Sequence, residues 1–394
     1  MKSFDRADPA SRMADDSPLI VQVVRQYAPA RGGLEDVVAN LSRLLLKRGF
    51  RVRVVTLDRL FQARERILPP QETIDGVEIT RIAWKGSSRY PLAPGVFRHI
   101  ADADIVHVHG IDFFFDALAW TRPLHGRTMV ATTHGGFFHT PKYAAIKKIW
   151  FRTLTRLSAR AYRSLLCCSR SDLALFSQIA AGRMLLVENG VDTDKFAGLS
   201  SPVPRRRIIT IGRFSVNKRL DRLFDAMSGL SEDWHLDVVG SPSDFAEEDL
   251  RREIARRGLG DRVALHVGVD NDEVRRLISE ASLFASASEY EGFGLVAVEA
   301  MSAGLVPVLH SNEAYKVLAD QHPGLLLADF ARPDESAAQI ERAFEFLSSD
   351  PTRREDMIAA ASVHAWDSVA DRYIEVYRRA LGQDTGEGQR GRMA

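Results

Sequence analysis

The chain has 394 residues, of which 45% are hydrophobic, so it can bury large cores and we expect two or three domains. No segment approaches 18 uncharged apolar residues and the N-terminal stretch is polar, which argues against a spanning helix and a secretory signal and favours a cytoplasmic protein. The net charge of +1 conceals a basic half, with 29 lysines and arginines against 19 acids in residues 1–200, and an acidic half, with 24 against 33 in residues 201–394; the basic half indicates an anionic partner such as a membrane surface, nucleic acid or a phosphorylated acceptor.

The first half alternates short apolar runs with helical patterns, after an N-terminal tail (residues 1–17) that we expect to be flexible. The pattern predicts strands at residues 19–24, 52–57, 79–82, 105–109, 129–133 and 165–168, and a helix at residues 34–47. This alternation predicts an α/β domain over residues 18–199, with a parallel sheet covered by helices. Cys167 and Cys168 have no Cys or His cluster around them, so we expect reduced core residues and no metal site.

Two stretches that follow strands of this half carry candidate site residues. Gly32 and Gly33 precede the first helix, where backbone amides could approach a phosphate or a sugar. The G-x-G-x-x-G pattern is absent, which disfavours a nicotinamide enzyme with Asp58 as the ribose-binding acid. His134 follows a strand among glycines and could hydrogen-bond a sugar; a histidine bonded to a backbone carbonyl is an equally good interpretation.

Residues 142–163 contain seven cations and no acid, with apolar residues at helical spacing. This pattern is typical of an amphipathic helix on an anionic membrane surface. A core-facing helix with a solvated basic face is the alternative, and no recognised nucleic-acid motif accompanies the charge. The residues that we expect at a membrane or lipid-linked acceptor are Lys142, Lys147, Lys148, Trp150, Arg152 and Arg156.

The second half begins after a Pro- and Ser-rich linker predicted at residues 200–206. Strands are predicted at residues 208–211, 236–239, 263–266, 282–285 and 306–309, with helices between them, which gives a second α/β domain over residues 207–362. A helix is predicted within residues 363–383, and the Gly- and Arg-rich tail (residues 384–394) is predicted to be disordered. Because ligands of open α/β sheets bind at the carboxyl ends of the strands, we expect both domains to face one cleft.

Two segments of this half suggest a nucleotide-sugar. Arg213 and Lys218 lie between a strand and a helix, where they could neutralise a diphosphate or form an ordinary solvated loop. Residues 288–304 read as a turn followed by a helix, with Glu291 before the turn and Glu299 within the helix. Free amides at the helix start suit a diphosphate, and the two carboxylates suit hydroxyl groups on either side of it; the alternative is two solvated acids.

Together these motifs resemble the retaining glycosyltransferases of family 4 over residues 18–383. The resemblance implies an α/β GT-B fold, with two Rossmann-like domains whose parallel sheets face an interdomain cleft. It also implies an N-terminal acceptor domain, a C-terminal nucleotide-sugar domain and a last helix that returns to the first domain. The motifs occur in the family's order: Arg31-Gly32-Gly33, His107-Val108-His109-Gly110, His134-Gly135-Gly136, Glu188 to Asp192, Gly212-Arg213 with Lys218, His266 to Gly268, Glu291 to Gly294 with Glu299, and Trp366.

The resemblance also implies roles for individual residues. Arg213 and Lys218 match the diphosphate-binding cations, Glu291 the acid that contacts the transferred sugar, and Glu299 the carboxylate that binds the ribose. His134 matches a histidine near the reacting sugar, so the implied catalytic set is Glu291, His134, Arg213 and Lys218. No metal or cofactor is implied beyond the donor itself. The remaining donor contacts are the backbones of Gly33, Phe293, Gly294 and Leu295.

Residues 134–140 are further similar to bacterial exopolysaccharide mannosyltransferases, which extend a cellobiosyl diphosphate-polyprenol with mannose from GDP-mannose. That similarity implies a GDP-mannose donor, a lipid-linked acceptor and a peripheral location on the inner face of the cell membrane. Residues 309–315 depart from the family's Gly-Gly-x-Pro-Glu segment, which leaves the donor sugar open. Other donors, a soluble acceptor, a nucleotide-sugar 2-epimerase and a non-catalytic nucleotide-sugar-binding protein remain alternatives.

Overall fold

A computed structural model describes residues 17–30, 32–88, 90–134 and 149–383. The chain divides into unit 1, formed by the residues up to Gly190 and from Trp366 onward, and unit 2, Val191–Ala365. The division precedes the linker predicted at residues 200–206, which belongs to unit 2. The reason is that Val191 pairs with Ala365 and Ser200 donates its backbone N–H to Ala303 over 2.8 Å, so the chain has already joined unit 2 there.

Unit 1 contains an eight-stranded sheet in the order β12-β11-β10-β9-β1-β2-β6-β5, parallel except where β5 meets β6. Two short antiparallel hairpins, β3–β4 and β7–β8, lie outside it. The hairpins were not predicted; β4, for example, is exposed on both faces, so no alternation marks it. The strands are β1 (Leu19–Val23), β2 (Arg51–Leu57), β3 (Arg59–Leu60), β4 (Ala63–Ile67), β5 (Gln71–Ile74), β6 (Val77–Ile82), β7 (Lys85–Ser87), β8 (Tyr90–Leu92), β9 (Ile105–His109), β10 (Thr128–Thr132), β11 (Ser164–Cys167) and β12 (Met184–Leu186).

Both faces of this sheet are buried. Leu19 and Val21 of β1 pack in one apolar cluster and Ile20 in another, because successive side chains of a strand point to opposite faces. Asp112 and Ser169 accept hydrogen bonds from backbone amides and so cap the helices that follow them. The helices of unit 1 in this part of the chain are α1 (Gly33–Lys47), α2 (Val96–His99), α3 (Phe113–His125), a π-helical turn (Phe151–Thr155), α4 (Arg156–Ala159) and α5 (Arg170–Ala180).

Unit 2 contains a six-stranded, fully parallel sheet whose order, β15-β14-β13-β16-β17-β18, is the 3-2-1-4-5-6 order of a Rossmann fold. In such a sheet the connections leave β13 and β16 in opposite directions, which opens a crevice at their carboxyl ends. The elements are β13 (Arg207–Ile211), α6 (Leu220–Ser228), β14 (His235–Gly240), α7 (Glu247–Arg256), β15 (Val263–Val267), α8 (Asn271–Glu280), β16 (Leu283–Ser286), α9 (Leu295–Ser302), β17 (Val306–His310), α10 (Glu313–Gln321), β18 (Leu326–Ala328), α11 (Pro333–Ser349) and α12 (Arg353–Ser362).

The last helix, α13 (Trp366–Ala380), belongs to unit 1. Its buried residues Tyr373 and Tyr377 pack in the same apolar cluster as Val38 and Leu41 of α1. Gly190 has no room for a side chain, because an added Cβ would lie 2.3 Å from the Trp366 ring. In the described part of the chain, no helix combines the length and apolar character needed to cross a bilayer.

Candidate functional site

Unit 2 places two loops together at the carboxyl ends of β13 and β16. The first runs from Gly212 through a 3-10 turn (Val216–Lys218), and the second runs from residue 287 to Gly294. Because β13 and β16 are neighbours in the sheet, residues about 70 positions apart in the sequence come into contact here. This is the position at which open α/β sheets bind their ligands.

The close approach of β13 and β14 shapes the first loop. A Cβ on Gly240 would lie 1.9 Å from the carbonyl oxygen of Gly212, so only glycine fits at position 240. Arg213 is exposed, and its guanidinium forms no ion pair with any residue that the structure describes. Arg213 and Lys218 line one shallow pocket together with Gly212, Ser286 and Ser288.

The two loops are joined by charged contacts. Lys218 Nζ donates to Glu291 Oε1 over 2.6 Å, and both side chains are largely buried, with 22% and 17% of their surface exposed. Next to them, Glu289 accepts from Arg219 over 2.6 Å and from Arg222 over 2.7 Å. The predicted residues Arg213, Lys218 and Glu291 therefore do come together.

The second loop ends at a helix start that no side chain caps. Gly294 precedes α9 with a φ of 91°, a left-handed conformation that strains any other residue. A Cβ there would also lie 2.7 Å from the Tyr315 ring. Leu295, the first residue of α9, is exposed, and Phe293 packs edge-on against His364 at 5.3 Å. The helix start can therefore offer backbone amides to an anion.

Residues 309–315, which depart from the family's Gly-Gly-x-Pro-Glu pattern, form hydrogen bonds with Ser286 at the end of β16 and with Ser288 in the second loop. The Tyr315 hydroxyl donates to Ser286 Oγ over 3.0 Å, and Asn312 Nδ2 donates to the Ser288 carbonyl over 2.8 Å. Asn312 Oδ1 also caps α10 by accepting from the Tyr315 amide over 2.9 Å. Burial raises the pKa of Tyr315, and the negative charge of Glu291 raises it further. The sequence carried no signal for these supporting roles except the departure itself.

Glu299 has charged neighbours different from those of Glu291. It lies half-buried on α9, where burial raises its pKa; the positive charge of Lys195 lowers it and the negative charge of Asp192 raises it. Glu299 does not line the pocket that contains Arg213 and Lys218. Two separate carboxylates thus flank the helix start.

In unit 1, Gly33 is the first residue of α1 and is exposed. No side chain caps this helix, and an added Cβ at Gly33 would meet no atom within 4 Å. Gly32 is the N-cap residue, and its carbonyl accepts from the Asp36 amide over 2.9 Å. Arg31 lies outside the described residues.

His134 follows β10 in a left-handed conformation with a φ of 50°. Its Nε2 lies 2.9 Å from Nδ1 of His109, at the end of β9, so among the described residues the side chain bonds another histidine and not a backbone carbonyl. Burial lowers the pKa of His134 to about 4. The ring is therefore neutral near pH 7. The residues from Gly135 to Thr140, on which the finer sequence similarity rests, lie outside the described part.

The basic segment is described from Ile149 onward, whereas Lys142, Lys147 and Lys148 lie outside the described residues. Phe151 and Ser158 are buried against unit 1, while Ile149 and Leu157 are exposed with the arginines. Trp150 is half-buried, with its ring edge-on to Tyr90 at 6.3 Å. Neither Arg152 nor Arg156 has an acidic partner among the residues described.

Within the described ranges, no group of three His, Cys, Asp or Glu side chains could hold a metal ion. Independence from metals and cofactors stays a prediction.

Family models match both parts of the chain. The model described as Glycosyltransferase Family 4 matches residues 31–195, and the model described as Glycosyl transferases group 1 matches residues 191–364. The second match contains Arg213, Lys218, Glu291 and Glu299.

Curated relatives match over more than nine-tenths of the chain. A GDP-mannose:cellobiosyl-diphosphopolyprenol alpha-mannosyltransferase from Komagataeibacter xylinus is 42% identical over 382 residues, which are 95% of this chain and 96% of that protein. A protein of the same name from Xanthomonas oryzae is 43% identical over 369 residues, covering 92% of this chain and 97% of its own length. Among solved structures, a glycosyltransferase from Rickettsia africae aligns with a TM-score of 0.71 at 17% identity, over 94% of this chain and all of that one, and so supports the fold.

Proposed function

Because this chain belongs to the retaining glycosyltransferases of family 4 and has their GT-B fold, we propose that it transfers mannose from GDP-mannose to a cellobiosyl diphosphopolyprenol in an alpha linkage. One observation supports the identity of the donor and of the acceptor. Relatives named for that activity are 42% to 43% identical to this chain over more than nine-tenths of it. The product would serve exopolysaccharide synthesis.

The site of unit 2 suits the chemistry of this transfer. Cleavage of the anomeric bond places negative charge on the departing diphosphate, and cations that contact it stabilise the transition state. Arg213 has no competing ion pair among the described residues, and Lys218 lies beside it in the same pocket. The amides at the start of α9 would hold the phosphate, so no metal is required.

Glu291 would position the sugar in this proposal. Its carboxylate accepts a hydrogen bond from Lys218 Nζ over 2.6 Å, so it lies beside the cation that would face the leaving group. The departing phosphate oxygen would take the proton of the acceptor hydroxyl. Glu299 would bind the ribose hydroxyls, and the backbone of Gly33 would contact the diphosphate.

The acceptor's lipid would be reached at the inner face of the cell membrane. Exposed Ile149 and Leu157 share one short helical stretch with Arg152 and Arg156, which supports a surface that inserts apolar side chains and attracts anionic lipid headgroups. Lys142, Lys147 and Lys148 of the same sequence segment would add to this charge.

The transfer is tested with purified protein, cellobiosyl diphosphopolyprenol in detergent, and radiolabelled GDP-mannose, GDP-glucose, UDP-glucose or UDP-N-acetylglucosamine in parallel. We expect label to enter the organic phase from GDP-mannose alone, with an alpha anomeric signal in the NMR spectrum of the product. Conversion of the donor without acceptor would favour an epimerase. An intact donor in every reaction would favour a binding protein.

The membrane surface is tested separately, with vesicles containing phosphatidylglycerol. Each arginine near an anionic surface contributes about 1 kcal/mol, so the double variant Arg152→Ser/Arg156→Ser should bind about 30-fold more weakly. The control is Arg251→Ser/Arg252→Ser, which removes the same charge from exposed positions of α7. Equal binding of both double variants would contradict the proposed surface.

A further inference from the structure

A buried chain of hydrogen bonds connects three strands of unit 1 behind His134. Gln22 is the penultimate residue of β1, His109 ends β9, and His134 follows β10. His134 Nε2 is 2.9 Å from His109 Nδ1, and His109 Nε2 is 2.6 Å from Gln22 Oε1. Gln22 and His109 are fully buried, so water does not compete for these bonds.

The structure places the oxygen of the Gln22 amide toward His109 and its nitrogen toward Tyr377. Gln22 Nε2 donates to the Tyr377 hydroxyl over 3.4 Å, and that hydroxyl lies 2.7 Å from His107 Nδ1. His107 Nε2 in turn lies 2.8 Å from Thr132 Oγ1. If the Tyr377 hydroxyl accepts from Gln22 and donates to His107, each donor in this network faces an acceptor. The amide oxygen of Gln22 is then left facing His109.

This orientation determines where the imidazole hydrogens lie. Burial lowers the pKa of His107 and His109 well below the usual value, and that of His134 to about 4, so each ring is neutral and carries one N–H. The oxygen of Gln22 has no hydrogen to give, so His109 must donate from Nε2. Its Nδ1 is then a bare lone pair, and His134 must donate to it from Nε2.

The remaining nitrogen of His134, Nδ1, therefore carries a lone pair. It forms no hydrogen bond to any residue that the structure describes. The backbone is held in place next to it, since Thr133 donates from N to the Leu166 carbonyl over 2.9 Å and from Oγ1 to Asp172 Oδ2 over 2.8 Å. These bonds retain His134 in its left-handed conformation, which a free chain would leave.

We propose that Gln22, acting through His109, is a positioning residue that fixes His134 with its hydrogen on Nε2, so that Nδ1 accepts a hydrogen bond from a hydroxyl group of the reacting sugars. This rests on the proposed glycosyl transfer and deepens it. His134 is an acceptor of a hydroxyl hydrogen and not a donor to a sugar or phosphate oxygen. Gln22 and His109 do not touch the substrate; they select the tautomer.

The tautomer is measured directly on the unmodified full-length protein, with ¹⁵N-labelled histidine and two-bond ¹H–¹⁵N correlation spectra at pH 7.5. The His134 signals are assigned by their loss in His134→Gln. We expect the pattern of a neutral ring protonated at Nε2 for both His134 and His109. A His134 ring protonated at Nδ1, or charged, would overturn the proposal. Because this readout needs no turnover, it stays decisive even if no donor is a substrate.

Variants of Gln22 test the consequence for catalysis. Gln22→Met keeps the length of the side chain but removes the amide oxygen, so we expect a mixture of His134 tautomers and a kcat reduced at least about tenfold, with the donor KM changed less than about twofold. Gln22→Glu retains an acceptor facing His109 and should keep kcat within about threefold. If Gln22→Met and Gln22→Glu lose kcat equally, or if Gln22→Met keeps the wild-type tautomer, the positioning role is wrong.

A matched control separates this effect from damage to the sheet. Thr56 is a buried polar residue of the neighbouring strand β2, and its hydroxyl has no partner within the described ranges. Thr56→Val should leave the His134 tautomer and kcat unchanged. A loss of kcat in Thr56→Val as large as that in Gln22→Met would show that any change in this core slows the enzyme, and would overturn the proposal.

Discussion

At the scale of single residues, the proposed donor site of unit 2 depends on Lys218, a cation that would contact two negative groups. Lys218 donates to Glu291 over 2.6 Å, and the diphosphate of the proposed donor would be its second negative partner. Arg213 has no such partner among the described residues. The two cations, which look equivalent in the sequence, therefore differ in their environment.

Glu291→Gln is expected to keep a hydrogen bond to Lys218 while it removes the charge. The pair is largely buried, but the glutamine oxygen still accepts from Lys218, so the free energy of unfolding should fall by about 1 to 3 kcal/mol. The kcat should fall at least about tenfold, because the sugar loses a charged hydrogen-bond acceptor. Steady-state kinetics with GDP-mannose measure this change. Glu289→Gln is the control, since Glu289 contacts Arg219 and Arg222 instead; near-normal turnover of Glu291→Gln would contradict its role.

Gly33→Ala tests the predicted contact between a backbone and the diphosphate. The added methyl group meets no atom within 4 Å and its φ is not left-handed, so the stability of the free protein should change by less than about 0.5 kcal/mol. The donor Kd, measured by calorimetry, should rise at least about tenfold if a phosphate lies against this glycine. Gly260→Ala, which also has open space, should leave the donor Kd unchanged. Unaltered binding by Gly33→Ala would mean that the phosphate lies elsewhere.

At the scale of elements, the segment that departs from the family pattern, residues 309–315, includes the start of α10. It supports the loop from residue 287 to Gly294, which we call the donor loop. Asn312 both caps this helix and holds the Ser288 carbonyl, while Tyr315 holds Ser286 and fills the space beside Gly294. The absent Gly-Gly-x-Pro-Glu segment is thus replaced by side chains that contact the loop carrying Glu291. The departure is local, and the neighbouring loop remains anchored.

Asn312→Ala should remove a helix cap and a buried hydrogen bond, with a combined loss of about 2 kcal/mol from the free energy of unfolding. Because the donor loop loses its anchor, the donor KM should also rise. Asp270→Ala is matched to it, since Asp270 caps α8 by accepting from the Glu273 amide over 2.9 Å and does not reach the donor loop. We expect Asp270→Ala to lose about 1 kcal/mol of stability without a change in KM. Identical KM values for the two variants would rule out the anchoring role.

At the scale of the whole molecule, both units repeat one plan, in which parallel strands are buried on both faces and side chains gather at their carboxyl ends. In unit 1 those side chains include His109 and His134, and burial keeps these two histidines and His107, in the middle of β9, neutral. Their pKa values are lowered in the native state, and an unfolded histidine has a pKa of about 6.5. The native and unfolded states therefore bind the same number of protons at these rings above about pH 7, and the unfolded state binds more below it.

The contribution of these histidines to the stability of the protein should consequently fall as the pH drops through 6.5. Each histidine that stays neutral in the native state lowers the free energy of unfolding by about 1.4 kcal/mol for every pH unit below that point. The measurement is urea denaturation of wild type and His109→Gln between pH 6 and 5. We expect a slope shallower by about 1.4 kcal/mol per pH unit in the variant. Equal slopes would mean that His109 is protonated in the native state.

The sequence by itself determined the alternation of strands and helices, the α/β class and the family resemblance. It also placed Arg213, Lys218 and Glu291 between a strand and a helix, and Glu299 within a helix. Periodicity and turn residues report local geometry and burial, and these are set by neighbours along the chain. Only the tertiary structure decided that β13 lies beside β16 and that Lys218 contacts Glu291, 73 positions away in the sequence. The same is true of the support that Asn312 and Tyr315 give to the donor loop, and of the hydrogen bonds that connect Gln22 to His134 through His109. Those contacts depend on strand order and on side chains from distant segments that share one small volume, which no local pattern encodes.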